Sequence, residues 1–141
     1  DGRASDNRRA MGEESPNVEL MRELFERWNA GDRSRLEGVL DPEVEISTIR
    51  SELEGRPYRG VEGFRQALAD YDRDWDDVRF VVHEIRGAGD RVASSVNIHS
   101  RGRASGVELD VPLGFLWEFR NGLVTQMRSF SDPAEALAGL E

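Results

Sequence analysis

The chain has 141 residues, 28 of them acidic and 19 basic, for a net charge of −9; that length suits one domain, and that charge repels phosphate backbones and anionic lipid, so neither nucleic acid nor a membrane is an expected partner. Cysteine is absent and every basic residue is arginine, which excludes disulfides, thiolate nucleophiles, sulfur-bound zinc and a lysine Schiff base. With two histidines, His83 and His99, one chain cannot build a three-histidine metal site, and no apolar run approaches the roughly 20 residues of a membrane span.

Residues 1–15 are polar, mix arginines with acids and have no apolar middle. They read as a disordered leader or expression remnant rather than a signal peptide, with the domain over 16–141 and the cytoplasm as default compartment. Ser15-Pro16 reads as a cap followed by proline at the first helical position, and Val18, Met21, Leu24, Phe25 and Trp28 recur at helical spacing. A helix is expected over about 16–30, stopped by Gly31, and a shorter one after Ser34 that ends at Asp41-Pro42. Val44, Ile46 and Thr48 alternate with Glu45 and Ser47 as a strand with one buried face. Residues 50–60 read as a charged loop broken by Gly55, Pro57 and Gly60. Val61, Phe64, Ala67, Leu68 and Tyr71 mark a third amphipathic helix, ending in the acidic run Asp70 to Asp77.

Four strand-like runs follow: Arg79 to Arg86, Arg91 to Ser100, Val107 to Phe119 and Leu123 to Phe130. Their separators are Gly87 to Asp90, Gly102 to Gly106, and Asn121-Gly122, the strongest hairpin signal in the chain. Asp132-Pro133 caps a short last helix. Helices first and a strand meander afterwards predict an α+β fold, with a curved sheet covered on its concave side and closing into a cone around a pocket.

Trp28-Asn29-Ala30-Gly31-Asp32, the strand after Asp41-Pro42, Tyr58-Arg59-Gly60 before a helix, Gly89-Asp90-Arg91-Val92 and Asn121-Gly122-Leu123-Val124 occur in this order. As a set they resemble the nuclear transport factor 2-like superfamily, its SnoaL-like (polyketide cyclase-like) branch in particular, over about residues 17–140. The resemblance implies a cone-shaped antiparallel or mixed sheet of about six strands, three covering helices and frequent homodimers. The superfamily also includes ketosteroid isomerases, limonene epoxide hydrolases, scytalone dehydratases and protein-binding members, so fold alone does not name a reaction. The isomerase's tyrosine and two aspartates would fall near Leu24, Thr48 and Phe115, none of which carries the needed group.

In that register Leu24, Trp28, Ile46, Thr48, Phe64, Ser94, Val96, Leu113, Phe115, Trp117, Met127 and Ser129 are the candidate pocket residues. Aromatic side chains at these spacings serve core packing as well as ligand contact. Arg50 and Tyr58 are polar candidates at the pocket mouth, as donors to a carbonyl or carboxylate. His83 is either a pocket base or a half-buried strand residue, because the parity of Phe80 and Val82 conflicts with that of Val81 and Ile85. His99 is expected on the convex face, at the surface or in a dimer interface. Asp110 and Glu118 have outward parity, with Arg101, Arg103 and Arg128 as cross-strand partners; a bulge would turn them inward. The acidic run lacks the glycine and glutamate of a calcium loop, having Trp75 and Val81 there, and reads as a solvated helix end. The expectation is thus a homodimeric protein for a small apolar molecule, without cofactor or metal. An acid/base isomerase, cyclase, dehydratase or hydrolase and a non-catalytic interaction module are the alternatives.

Overall fold

The computed structural model describes residues 15–141, so the leader expected over 1–15 lies, Ser15 apart, outside the described residues. The first helix, α1 (Pro16–Asn29), begins where Ser15 Oγ accepts the Val18 amide at 3.2 Å, with proline at its start. Its apolar stripe, Val18, Met21, Leu24 and Phe25, is buried, and Gly31, at φ 92°, takes the left-handed turn that ends it. A single turn, α2 (Ser34–Glu37), leads into β1 (Leu40–Ser47).

The segment expected to be a loop holds a helix, α3 (Ile49–Glu54), and a two-residue strand, β2 (Tyr58–Arg59). The helix exists because Thr48 and Ser51 cap each other: Thr48 Oγ1 accepts the Ser51 amide at 3.0 Å and Ser51 Oγ accepts the Thr48 amide at 2.8 Å. Gly55, at φ 75°, closes its other end. Next comes α4 (Gly60–Asp74). The long strands β3 (Trp75–Ala88), β4 (Arg91–Gly102), β5 (Glu108–Arg120) and β6 (Leu123–Phe130) follow, and α5 (Pro133–Ala138) ends the described fold. Asn121 and Gly122 have φ of 54° and 78°, the paired positive values of a tight hairpin turn.

The six strands form one sheet in the order β2-β1-β6-β5-β4-β3, antiparallel except where β1 runs parallel to β6. This is a mixed α+β fold with a curved six-stranded sheet. The helices α1 and α4 cover the concave face, where Val44, Ile46, Ile85, Val92, Val96, Phe115, Trp117, Phe119 and Val124 are buried with the stripe of α1 and Phe64 of α4.

Two bulges in β3 explain the parity conflict around His83. Asp76 pairs with Arg101 but Arg79 with His99, and Val82 pairs with Val96 but Glu84 with Ser95, so β3 gains one residue over β4 each time. Its apolar side chains therefore recur as Trp75, Val78, Phe80, Val82 and Ile85, three apart at each bulge and two apart elsewhere. Ile85 joins Phe80 and Val82 on the concave face, pairing with Ser94, while Val81 stays outside, pairing with Asn97.

The last helix lies on the opposite, convex face. Gly114 and Leu116 alternate with the concave row Leu113, Phe115 and Trp117. A Cβ on Gly114 would stand 2.8 Å from both Ala136 Cβ and Pro133 Cα, so glycine there is what lets α5 seat. Arg91 secures the far end of α5 by donating to the Gly139 carbonyl at 2.9 Å while pairing with Glu118 at 3.2 Å.

Candidate functional site

Between the roof of α1, α3 and α4 and the concave sheet lies a cavity of about 600 Å³. Met21, Leu24, Phe25 and Trp28 line it from α1, Phe64, Ala67, Leu68 and Tyr71 from α4, and Phe80, Leu113, Phe115, Trp117 and Met127 from the sheet. Phe115 is the centre of its aromatic wall, with ring centroids 5.8 Å from Phe80, 5.6 Å from Trp117 and 6.1 Å from Phe25. Ile49, Leu53, Leu109 and Val111 line the cavity while remaining exposed, so its mouth is apolar as well.

Several polar side chains also reach the lining, among them Arg33, Arg50, Tyr58 and Asp70. Tyr58 donates to Asp70 Oδ2 at 2.7 Å, while Gln66 and Arg73 donate to Asp70 Oδ1 at 2.8 and 2.7 Å. The hydrogen bond from Tyr58, then that from Gln66, holds the Asp70 carboxyl below the usual carboxylate range. Burial, and then the hydrogen bond to Asp70, pushes the Tyr58 phenol above its ordinary value. At neutral pH the pair is a carboxylate beside a protonated phenol. Arg33 reaches the cavity under a bidentate pair with Asp72 and lies 4.7 Å over the Trp28 ring. Arg50 pairs with Glu54 at 3.1 Å.

Ten of the twelve residues expected in the pocket line this cavity: Leu24, Trp28, Ile46, Thr48, Phe64, Leu113, Phe115, Trp117, Met127 and Ser129. Thr48 does so as the cap of α3, with its hydroxyl committed to Ser51, rather than as a strand residue. Ser94 and Val96 have the same facing but are buried outside the wall. Their strand runs toward Val92, whose partner Gly87 would place a Cβ 2.8 Å from Val18, so direct packing of α1 fills that end.

Arg50 and Tyr58 stand at the cavity, Arg50 from α3 and not from β1. His83 does not. The bulge puts it on the convex face, exposed, with Nε2 2.9 Å from Asn97 Oδ1, so it is neither the pocket base nor the half-buried strand residue that the alternation offered. Asn97 also donates to Asp110, and His99 lies 3.5 Å from the same carboxylate on that outer face.

The arginine partners also differ from expectation. Asp110 meets His99 and Asn97, and Glu118 meets Arg91, whereas Arg101, Arg103 and Arg128 pair with Asp77, Asp76 and Glu52. The acidic run is more than a solvated helix end, since Asp70, with a side chain 16% exposed, and Asp74 line the cavity. Their spacing from Phe64, Ala67 and Tyr71 on α4 was the signal: position 67 leads to 70, 71 and 74 on one helical face. Among the described residues no cluster of histidine, aspartate and glutamate is arranged to hold a metal ion, and no helix is long and apolar enough to cross a membrane.

A sequence profile described as the SnoaL-like domain matches residues 21–127. No curated protein matches the sequence. Among solved structures, a nuclear transport factor 2-like protein of unknown function from Burkholderia pseudomallei superposes with a TM-score of 0.74 at 18% identity, over 86% of this chain and 95% of its own. TerC, co-crystallised with polyporic acid, gives 0.73 at 22% identity over 89% and 98%. IdmH of Streptomyces antibioticus, a candidate polyketide cyclase, gives 0.70 at 21% identity over 89% and 98%. The profile covers most of the chain and the neighbours share its curved sheet and covering helices: the protein belongs to the SnoaL-like domain family and has the nuclear transport factor 2-like fold.

Proposed function

We propose that this protein binds a small, largely apolar organic molecule in the cavity beneath α1 and α4. The observation that carries the reading is the cavity itself: about 600 Å³, aromatic-walled, open through an apolar rim and with a few polar groups in its lining. Pockets for small molecules have this size and composition, roughly 300–1,000 Å³ with a few placed polar groups. The structural neighbour co-crystallised with polyporic acid supports the same reading.

Catalysis by acid and base at Tyr58 and Asp70 is the second reading, favoured by their hydrogen bond at the cavity wall. Efficient proton transfer at neutral pH uses groups whose pKa lies near 7. Here Asp70 is displaced downward and Tyr58 upward, each away from that value. Binding is therefore the better-supported role.

The test is thermal shift against a panel of hydrophobic ketones, lactones and polyketide fragments, repeated on Ala67→Trp. Ala67 lines the cavity from α4, so the indole would occupy the ligand's space. The expected result is stabilisation of the wild type by some panel members, lost in a variant that keeps its far-ultraviolet dichroism. Silence of the whole panel, or an undiminished shift in Ala67→Trp, would overturn the reading.

A homodimer through the convex face is proposed alongside. It is supported by the part of that face beyond α5, where Val81, 47% exposed, adjoins Asn97, His99 and Asp110. Light scattering on wild type and Val81→Arg checks it, with a dimer expected to become a monomer.

A further inference from the structure

Six large apolar side chains are exposed among the described residues, and four of them, Ile49, Leu53, Leu109 and Val111, line the cavity. They come from two segments at one end of the sheet. Leu109 and Val111 lie at the start of β5, which has β4 on one side; on the other, β6 stops at Phe130, near Gly114, and leaves Glu108 to Leu113 without a neighbouring strand. Ile49 and Leu53, one turn apart on α3, follow β1, which runs parallel to β6 and ends opposite Arg128, so α3 leaves the sheet at that same end. Two apolar surfaces thus border one cavity mouth without covering each other. Leu53, 85% exposed, has nearly all of its burial still to gain.

The attachment of α3 to the fold is slight. Ser51 is its one buried residue, and the hydrogen bonds of Ser51 return to Thr48, so the capping pair travels with the helix. The backbone bonds at its far end, from Gly55 and Arg56 to Glu52 and Ser51, are internal as well. Arg50 pairs within the helix, to Glu54. Among the described residues one side-chain hydrogen bond leaves α3, from Arg128 to Glu52 at 2.8 Å, an exposed ion pair of the kind that holds weakly. The chain enters through Thr48, extended at ψ 167°, and leaves through Gly55, left-handed at φ 75°. Such element-terminal residues can absorb the dihedral change of a hinge.

We infer that α3 is a lid, an inference that rests on the binding reading above: once the cavity is occupied, α3 swings as one piece about Thr48 and Gly55 and closes toward the start of β5, burying Ile49 and Leu53 against Leu109 and Val111. Closure breaks only the Arg128–Glu52 pair and removes apolar surface from water on both sides of the mouth. The occupant supplies the floor that the closing side chains lack when the cavity is empty, which couples closure to binding.

The chain has no cysteine, so one introduced thiol reports on one place. In Leu53→Cys the thiol should react with iodoacetamide about as fast as that of Glu62→Cys, a control whose native side chain is 86% exposed on α4. The probe is 2-acetonaphthone, or the panel member that stabilises the wild type most if that is another, with binding followed by quenching of tryptophan fluorescence. Saturation should slow alkylation of Leu53→Cys about tenfold, the effect of a lid closed about nine-tenths of the time, and leave Glu62→Cys unchanged. Shielding by the probe itself would also slow alkylation, so a second readout separates the two. In Leu53→Cys/Leu109→Cys and Leu53→Cys/Val111→Cys the probe should speed disulfide formation severalfold in at least one, because closure brings the thiols together, whereas shielding would slow it. Probe binding with alkylation unchanged, or with disulfide formation slowed or unchanged in both double variants, overturns the lid and leaves the cavity a binding site. Protection without probe that rises with protein concentration overturns it too, since a second copy then covers the rim. Silence of the whole panel removes the binding reading and the lid with it.

Discussion

Phe115→Ala tests the concave wall directly. Phe115 is 7% exposed and meets Phe25, Phe80 and Trp117 at centroid distances of 6.1, 5.8 and 5.6 Å. Truncating a buried phenylalanine costs about 3–5 kcal/mol, part of it for the space left behind. One side of this ring borders the cavity and has few atoms to lose, so the low end applies, about 3 kcal/mol. For a chain of this size that corresponds to a fall in Tm of about 12 °C, at roughly 4 °C per kcal/mol. The matched control is Gln126→Ala, exposed on the convex face of β6 away from the Val81 patch, expected to stay within about 0.5 kcal/mol. Urea and thermal unfolding of both variants give the answer. If Gln126→Ala proves the more damaging, the strand faces are exchanged and the assignment of the wall is wrong.

Gly114→Ala should cost about 1–3 kcal/mol, because the added methyl would stand 2.8 Å from Ala136 and from Pro133 and α5 must lift. Thermal unfolding with amide exchange across 133–138 checks it, and an unperturbed α5 would refute its placement on the convex face. Tyr58→Phe removes the largest influence lowering the Asp70 pKa, so carboxyl NMR should show Asp70 rising toward its ordinary value of 3.8. With a depressed folded pKa, Asp70 contributes stability above the unfolded pKa and loses it as pH falls through the folded one. The stability gap between wild type and Tyr58→Phe should therefore narrow below about pH 4; a gap independent of pH would refute the coupling.

Features set by near neighbours were legible in the sequence. Ser15-Pro16 and Asp132-Pro133 start helices because a side-chain oxygen meets an amide two or three residues on, and Asn121-Gly122 makes a hairpin because both residues tolerate positive φ. The walls of β4 and β5 followed from simple alternation, since those two strands pair with each other without a register break from Arg91 to Arg101. The helix α3 was written there too, in Thr48, Ser51 and Gly55, but its box uses serine where glutamate or glutamine is usual.

The rest depended on distant parts of the chain. Whether β3 bulges is decided by how its curved path matches β4, and that match put His83 outside and Ile85 inside. The parallel pairing of β1 with β6 joins segments some eighty residues apart. The seat of α5 needs Gly114, which by itself reads only as a weak point in a strand. Asp70 became part of the cavity through Tyr58, a partner twelve residues away across a turn. Local sequence sets caps, turns and alternation because those energies are made within a few residues. Faces, bulges and partners are settled when the sheet curves and closes, and those energies belong to the whole fold.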